Sequence, residues 1–462
     1  MTSFFPGDAR SGGTQSLRVA VVGAGIAGLT AAYRLKQTGF QVVVLERQAS
    51  VGGRMTLRIE SNIEYNTGAR LVYSFSKDLL TLMNRLGLTS NILPVEQTNT
   101  AIRCNGVDHP AHFTPGPGIL ASPFVKLHHI PALMRMSVEL LGRQFHRNPN
   151  DLAAGHLPDD QTMVEYLEMR GLATIGRFLL EPVFRGTRGW RLQDVSPAFF
   201  VSTSAAMLRA RPLNFKDGIG MLANRLAQQN KVVTGVEVTD IARVNNTDPD
   251  GCTITYRTAG ETLQFRADIV VVAVEGSLAA NIIRNPSPEE SRWFSAIRYN
   301  SGGVLHYQLN KQLPATLRFY GPGENELIAI FEIRPGPDAS IHVLFHLSPE
   351  GVQRATEQGL EHDIERLLQG ILPEIVVENR QHICSRFDQW IPNYLPISYP
   401  GYVAALREFR QRQSVNPGRC YYAGDYMAQA LTGGACRSGK LTADTIIDHW
   451  GKSGKQDLNG RH

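Results

Sequence analysis

No uninterrupted apolar run in this 462-residue chain is longer than IVVVAV at 269–274, far short of the roughly 20 residues a membrane-spanning helix needs. Cysteine is scarce and scattered: Cys104, Cys252, Cys384, Cys420 and Cys436 form no CxxC pair and are odd in number. That excludes a disulfide framework and a zinc site of the usual spacing, so no metal is expected and a reducing cytoplasm is the default. Charge of one sign is lacking too. Lys and Arg number 47 against 42 Asp and Glu, a net +5 with no dense basic block, which argues against nucleic-acid binding. No Ser/His/Asp or paired-carboxylate pattern is legible, and His128, His129, His146 and His156 form no ligand set. Residues 1–16 are polar and lack the apolar core of a secretory signal, and read as a disordered leader. An apolar fraction of 42% with 19% charged residues describes a soluble globular protein, and the length favours two domains.

What is present is concentrated at 17–46, LRVAVVGAGIAGLTAAYRLKQTGFQVVVLE. The pattern is strand, glycine turn, helix, strand, ending on an acid. Gly23 allows the tight turn, Gly25 lets a pyrophosphate approach the backbone, and Gly28 lets helix and strand pack closely. With Ala27 they open a helix whose N-terminus offers unpaired N–H groups and a positive dipole end to phosphates. Glu46 ends the second strand, where its carboxylate can accept hydrogen bonds from ribose hydroxyls. The expected fold is therefore α/β, with a Rossmann-type dinucleotide-binding domain.

After Glu46 come Arg47, then Gly53 and Arg54 in a GGRM turn, and Gly68, Ala69 and Arg70 in a TGAR turn. This extended pattern resembles the FAD-binding start of a flavoprotein superfamily. That superfamily includes amine oxidases, protoporphyrinogen oxidases, phytoene desaturases and the Rab GDP-dissociation inhibitors. Two later stretches extend the resemblance. VVTGVEVTDI looks like the return strand whose backbone meets adenine, at Val238. CYYAGDYMAQALTGGACRSGK looks like the closing motif, in which Gly424 and Asp425 meet the ribityl and pyrophosphate region. There Gly434 and Ala435 start a helix aimed at the flavin N1/O2 edge. The segment DQWIPNYLPISYPGY is similar to one in protoporphyrinogen-oxidase-like members, and suggests Trp390, with Tyr394 and Tyr399, beside the flavin. Arg70 is expected to hold either cofactor or a substrate carboxylate.

The resemblance implies a cofactor domain in three pieces, 17–95, 212–278 and 415–450, interleaved with an α+β substrate domain at 96–211 and 279–414, and a tail at 451–462. The helical run at 125–147 has large apolar residues and mostly basic charges. A core helix is the first expectation for it and a peripheral membrane contact the second.

Three departures narrow the chemistry that the resemblance implies. The strand that carries a lysine in many amine oxidases reads NSGGVLHYQL, with no lysine before Lys311. The later half of the closing motif, AQALTG, has no cage aromatic. No cysteine stands in IPNYLPISYPGY for covalent flavin attachment, so FAD is expected to be non-covalent. The leading expectation is an FAD-dependent oxidoreductase removing hydride from a C–C or C–N bond of an apolar or aromatic small molecule, reoxidised by O2 or another acceptor. A flavin amine oxidase and a GDP-dissociation-inhibitor-like binding protein are the alternatives.

Overall fold

The structure is a computed structural model that describes Phe4 and residues 16–95, 99–111, 120, 122–144, 148–207, 210–243, 251–336, 340–372, 374–415 and 417–451. Nearly all of the expected leader and tail, and His146, lie outside the described residues. The β-branched runs VAVV, VVVL and IVVV become β1 (Arg18–Val22), β2 (Gln41–Glu46) and β3 (Ile269–Val272). They are apolar on successive residues because a parallel sheet is covered on both faces. The sheet runs Val232–Thr234, β2, β1, β3, Cys420–Tyr422, all parallel, so its strands come from well-separated parts of the chain. Helix α1 (Ile26–Gln37) joins β1 to β2, and the closing helix α2 (Thr432–Trp450) lies against it. A Cβ added at Gly439 of α2 would sit 2.1 Å from the Ala27 carbonyl oxygen, so a glycine is what lets the two helices approach.

The second layer is a seven-stranded sheet containing β4 (Tyr299–Leu309), β5 (Ile328–Pro335), β6 (Ile341–Leu347) and β7 (Ile383–Pro396). Its order is β7, β4, β6, β5, Thr316–Tyr320, Asn99–Cys104, Val107–Pro110. Asn99–Cys104 runs parallel to Thr316–Tyr320, so segments more than 200 residues apart share one sheet, as an interleaved domain requires. Side chains alternate between its faces. The outer face, with Leu305, Tyr307, Phe331, Val343 and Phe345, packs with Ala355 of the helix Pro349–Gln358. The inner face holds Val304, His306, Ile330, Glu332, Arg334, His342, Leu344, His346, Phe387 and Gln389, as the antiparallel registers require.

Two helices depart from the expected division. Pro288–Ala296 and Tyr402–Val415 lie in the stretch assigned to the substrate domain, yet Trp293, Phe294, Tyr402, Leu406 and Phe409 share a core with Val22 and Val272. Trp293 stacks on Phe409 at 5.5 Å, and together these helices help cover one face of the nucleotide sheet. Among the described residues no helix is long and apolar enough to cross a membrane. No group of three or more His, Cys, Asp or Glu among them could hold a metal.

Candidate cofactor and substrate site

The three glycines of the first turn differ in what surrounds them. A Cβ at Gly23, where φ is +103°, would lie 2.6 Å from the Ala273 oxygen, and one at Gly28 would lie 2.1 Å from the Gly23 oxygen. Both are therefore demanded by the protein's own packing. At Gly25 nothing among the described residues lies within 4 Å of the added Cβ, so the backbone there borders open space at the N-terminus of α1. No side chain caps that helix and no acid stands in its first turn. An open glycine beside an uncapped helix N-terminus is a cradle for a pyrophosphate, and the residues present fit FAD.

Glu46 sits across the turn. Its Oε2 accepts from the Ala24 N–H at 2.7 Å and its Oε1 from the Gln48 N–H at 2.8 Å. Each carboxylate oxygen retains an acceptor site, so ribose hydroxyls can still be taken. Val238 is buried on the strand that follows Val236, whose N–H donates to the Glu46 oxygen at 2.9 Å. The return strand is thereby held beside Glu46. Arg47 is exposed.

The GGRM turn rests on the first: the Gly52 N–H donates to the Ala24 oxygen at 2.9 Å, and Gly53 takes φ +55°. The TGAR turn rests in its turn on Arg54, whose oxygen accepts from the Ala69 N–H at 2.7 Å, while a Cβ at Gly68 would meet Arg54 at 3.1 Å. The Arg54 guanidinium pairs with Asp425 at 2.9 Å and donates to the Tyr394 oxygen at 2.6 Å. Two motifs 371 residues apart are thus joined by one ion pair. Burial alone would lower the Arg54 pKa, but Asp425, with Tyr299 and Glu275 nearby, more than offsets it and holds the pKa above its ordinary value. Tyr299, whose hydroxyl accepts from the Gly276 N–H at 2.9 Å, is held well above the usual phenol range by burial and by Asp425.

Gly424 donates its N–H to Ser438 Oγ at 3.0 Å, which ties the closing turn to α2. A Cβ at Gly434 would come within 2.2 Å of the Gln429 oxygen, so this glycine is required by the turn itself, whatever lies beyond it. The Ala435 N–H is taken by the Leu431 oxygen at 2.9 Å. Gln429 is buried; its Nε2 donates to Ser202 Oγ at 2.8 Å, and its Oε1 has no partner among the described residues.

The inner face of the seven-stranded sheet meets this assembly at two points. Arg70 Nη1 donates to Glu332 Oε2 at 2.7 Å. Gln389 Nε2 donates to the Asn66 oxygen at 3.1 Å, and its Oε1 lies 3.0 Å from His306 Nε2. Because the Asn66 carbonyl can only accept, the amide orientation is fixed and His306 must carry its proton on Nε2. Its Nδ1 is buried without a partner among the described residues. Burial, then Arg70, pushes the His306 pKa well below its ordinary value, so the ring is neutral. Phe387 stacks on it at 4.4 Å, and Tyr65 lies 5.9 Å away.

Trp390 requires a correction. It pairs with Gly303 and packs on the outer core with Leu305 and Tyr307, so it points away from the face that meets the TGAR turn. The inward residue is Gln389, one step earlier in a period-two strand. Tyr399 donates to the Ala296 oxygen at 2.6 Å and lies under Arg298, a packing role. Tyr394 contributes its carbonyl to Arg54, with its ring against Gly302. The sequence reading missed His306, Glu332, Arg334 and Gln389. The signal was polar residues at alternate positions of apolar runs, as in IFEIR and VLHYQ.

The profile of the family described as flavin containing amine oxidoreductase matches residues 26–447. Protoporphyrinogen oxidase 2, chloroplastic/mitochondrial, of Arabidopsis thaliana is 37% identical over 91 residues, which is 20% of this chain and 18% of that protein. The chain therefore aligns with less than a fifth of that relative. L-amino acid oxidase of Cerastes cerastes is 23% identical over 453 residues, covering 89% of this chain and 83% of that one. The solved structure of putrescine oxidase bound to putrescine superimposes with a TM-score of 0.70 at 17% identity, covering 94% of this chain and 99% of that chain. At that identity the likeness is one of fold.

Proposed function

The chain belongs to the flavin containing amine oxidoreductase family, an FAD-binding oxidoreductase, and from that premise we propose that it removes hydride from a C–N or C–C bond of a small molecule with an apolar or aromatic body. Bound FAD supplies the hydride acceptor, with O2 or another acceptor taking the electrons onward. The chain's part is to hold, orient and exclude water. Gly25 and the α1 N-terminus receive the pyrophosphate, Glu46 the ribose, and the Arg54–Asp425 pair fixes the turn beside it.

The observation that carries the reading is the inner face of β4. It presents His306, buried and neutral, and no lysine. Lys311 lies beyond the strand, bound to Asn379 Oδ1 at 2.7 Å. A site without that lysine favours a dehydrogenation other than simple amine oxidation. Phe387, Tyr65, Val304 and Ile330 offer the surface for an apolar or aromatic body. The test is anaerobic stopped-flow mixing of the FAD-loaded protein with a panel of primary amines, amino acids and partly saturated ring compounds. Bleaching of the flavin by ring compounds or acids, with slow or absent bleaching by simple amines, is the expected result. Rapid bleaching by simple amines would overturn it in favour of an amine oxidase.

A peripheral membrane contact goes with this reading. The helix Ile130–Gln144 and the turn before it expose Leu127, Met134 and Val138 beside Lys126 and Arg135. Co-sedimentation with anionic vesicles tests it.

A further inference from the structure

We propose that Cys252 and Cys420 are a modification site, a dithiol that hydrogen peroxide closes to a disulfide within the cofactor-binding half of the fold. Their spacing in sequence gives no sign of it: the two lie 168 residues apart, yet their Sγ atoms stand 3.7 Å from each other. A short stretch of chain brings them together. Cys252 opens the strand Cys252–Thr258 and pairs with Ala267, while Cys420 opens Cys420–Tyr422 and pairs with Val270 of β3. Ala267 and Val270 are three residues apart. The sulfurs therefore meet where the three-stranded sheet that contains Val238 passes the chain to the parallel sheet. A disulfide S–S bond is about 2.05 Å, so closure asks for a shift of less than about 2 Å, shared by two side chains.

The surroundings set this pair apart from the other buried thiols. Burial pushes Cys104 up to about 11 and Cys436 up to about 12, which leaves both inert at neutral pH. Cys252 is shifted down, because the Cys420 S–H is donated to it and because Arg243 and Arg419 face it, with burial and Asp268 opposing. Cys420 is held well above the usual thiol range by that same bond and by burial. A sulfur that favours the thiolate beside one that keeps its proton is an attacking thiol with its resolving partner. Arg243 is fixed by Glu290 at 2.6 Å, and that acid also accepts from the Tyr422 hydroxyl. The Cys252 thiolate displaces hydroxide from the peroxide and becomes a sulfenic acid. The Cys420 sulfur then forms the S–S bond, and water leaves. The two thiols give up two electrons and two protons, and one peroxide becomes two waters. Peroxide is the product when O2 takes both electrons from a reduced flavin, so the oxidant, though not the pair, rests on the redox reading above. Cys252 and Cys420 are 0% and 3% exposed. Each is the first residue of its strand, so peroxide enters when a strand end opens and the reaction is slow.

The experiment is a time course with added hydrogen peroxide on the FAD-loaded Cys384→Ser protein, which lacks the exposed thiol. Alkylation, proteolysis without reductant and mass spectrometry follow. A peptide joining Cys252 to Cys420 should accumulate, and dithiothreitol should release it. With Cys420→Ser added, Cys252 should instead be trapped by dimedone as the sulfenic acid, and with Cys252→Ser added, Cys420 should stay open to alkylation after unfolding. The linked protein should have a higher urea midpoint than the same sample after dithiothreitol, since a bridge across so long a loop restricts the unfolded chain. Three results would each overturn the proposal: both cysteines recovered as free thiols under conditions that oxidise Cys384 in the parent, a link that forms only in urea, or a linked midpoint at or below the reduced one. Because the peroxide is added, failure here is distinguishable from failure of the redox reading. A link in a protein whose flavin no compound bleaches leaves the site standing without that reading, and bleaching without a link does the reverse.

Discussion

Gly25, Gly28 and Gly434 all stand in glycine turns, and their surroundings predict different failures. Gly25 has φ −72° and open space over it, so Gly25→Val introduces no backbone strain and no clash. The variant should keep the parent's melting temperature without cofactor and lose FAD binding, because the branched side chain fills the place proposed for the pyrophosphate. Gly434→Val forces a Cβ against the Gln429 oxygen at 2.2 Å, so it should destabilise the fold first, read as a lowered urea midpoint of the apoprotein. Glu46→Ala removes the proposed acceptor for the ribose and should weaken FAD binding by about 1.5 to 3 kcal/mol, measured by fluorescence titration of released flavin. Unchanged affinity would return Glu46 to a turn role, holding the Ala24 and Gln48 amides.

At the scale of the element, β7 shows how alternation assigns roles. Gln389 and Trp390 are neighbours in sequence and lie on opposite faces of one sheet, since antiparallel pairing with β4 sets Val304 against one and Gly303 against the other. Trp390→Ala should cost about 3 kcal/mol of stability, while the flavin absorption spectrum of the folded protein stays as in the parent. Gln389→Leu removes the link from His306 to the Asn66 carbonyl. It should shift that spectrum or the flavin potential with little loss of stability. A Trp390 variant with a perturbed spectrum would reverse the two assignments. The period-two pattern was legible in IFEIR and VLHYQ, but which phase faced inward was not. A strand alone has no inside until another layer covers it.

For the molecule as a whole, the polar inner face makes stability depend on pH. His342 and His346 titrate near 4 when folded and near 6.5 when unfolded. The unfolded chain therefore takes up protons first as pH falls, and stability is lost between about pH 6.5 and 4, by up to about 1.4 kcal/mol per pH unit for each histidine. Glu332 acts in the same direction. Burial alone would raise its pKa, but Arg70 more than offsets this and holds it below the carboxylate range, so its stabilisation is present above pH 4.5 and falls away beneath it. Urea midpoints at pH 7.5, 6.0 and 5.0 should decline steadily. His342→Asn should flatten the decline, and a flat profile in the parent would mean that these rings are solvated.

The sequence by itself determined the proposed nucleotide-binding end. The glycines, the α1 N-terminus and Glu46 lie within 30 consecutive residues, where local geometry fixes their relation, since a strand, turn and helix can close on a pyrophosphate in few ways. It also carried both partners of the Arg54–Asp425 pair as members of separate motifs, without the contact between them. Tertiary structure alone decided what faces Arg70, a residue the sequence had named without its partners. Arg70, Glu332 and Arg334 come from a turn and a strand more than 260 residues apart, and Gln389 displaced Trp390 by the phase of one strand. Such contacts depend on which sheet face is covered and on loop closures across hundreds of residues, and neither quantity is written in any local stretch of the chain.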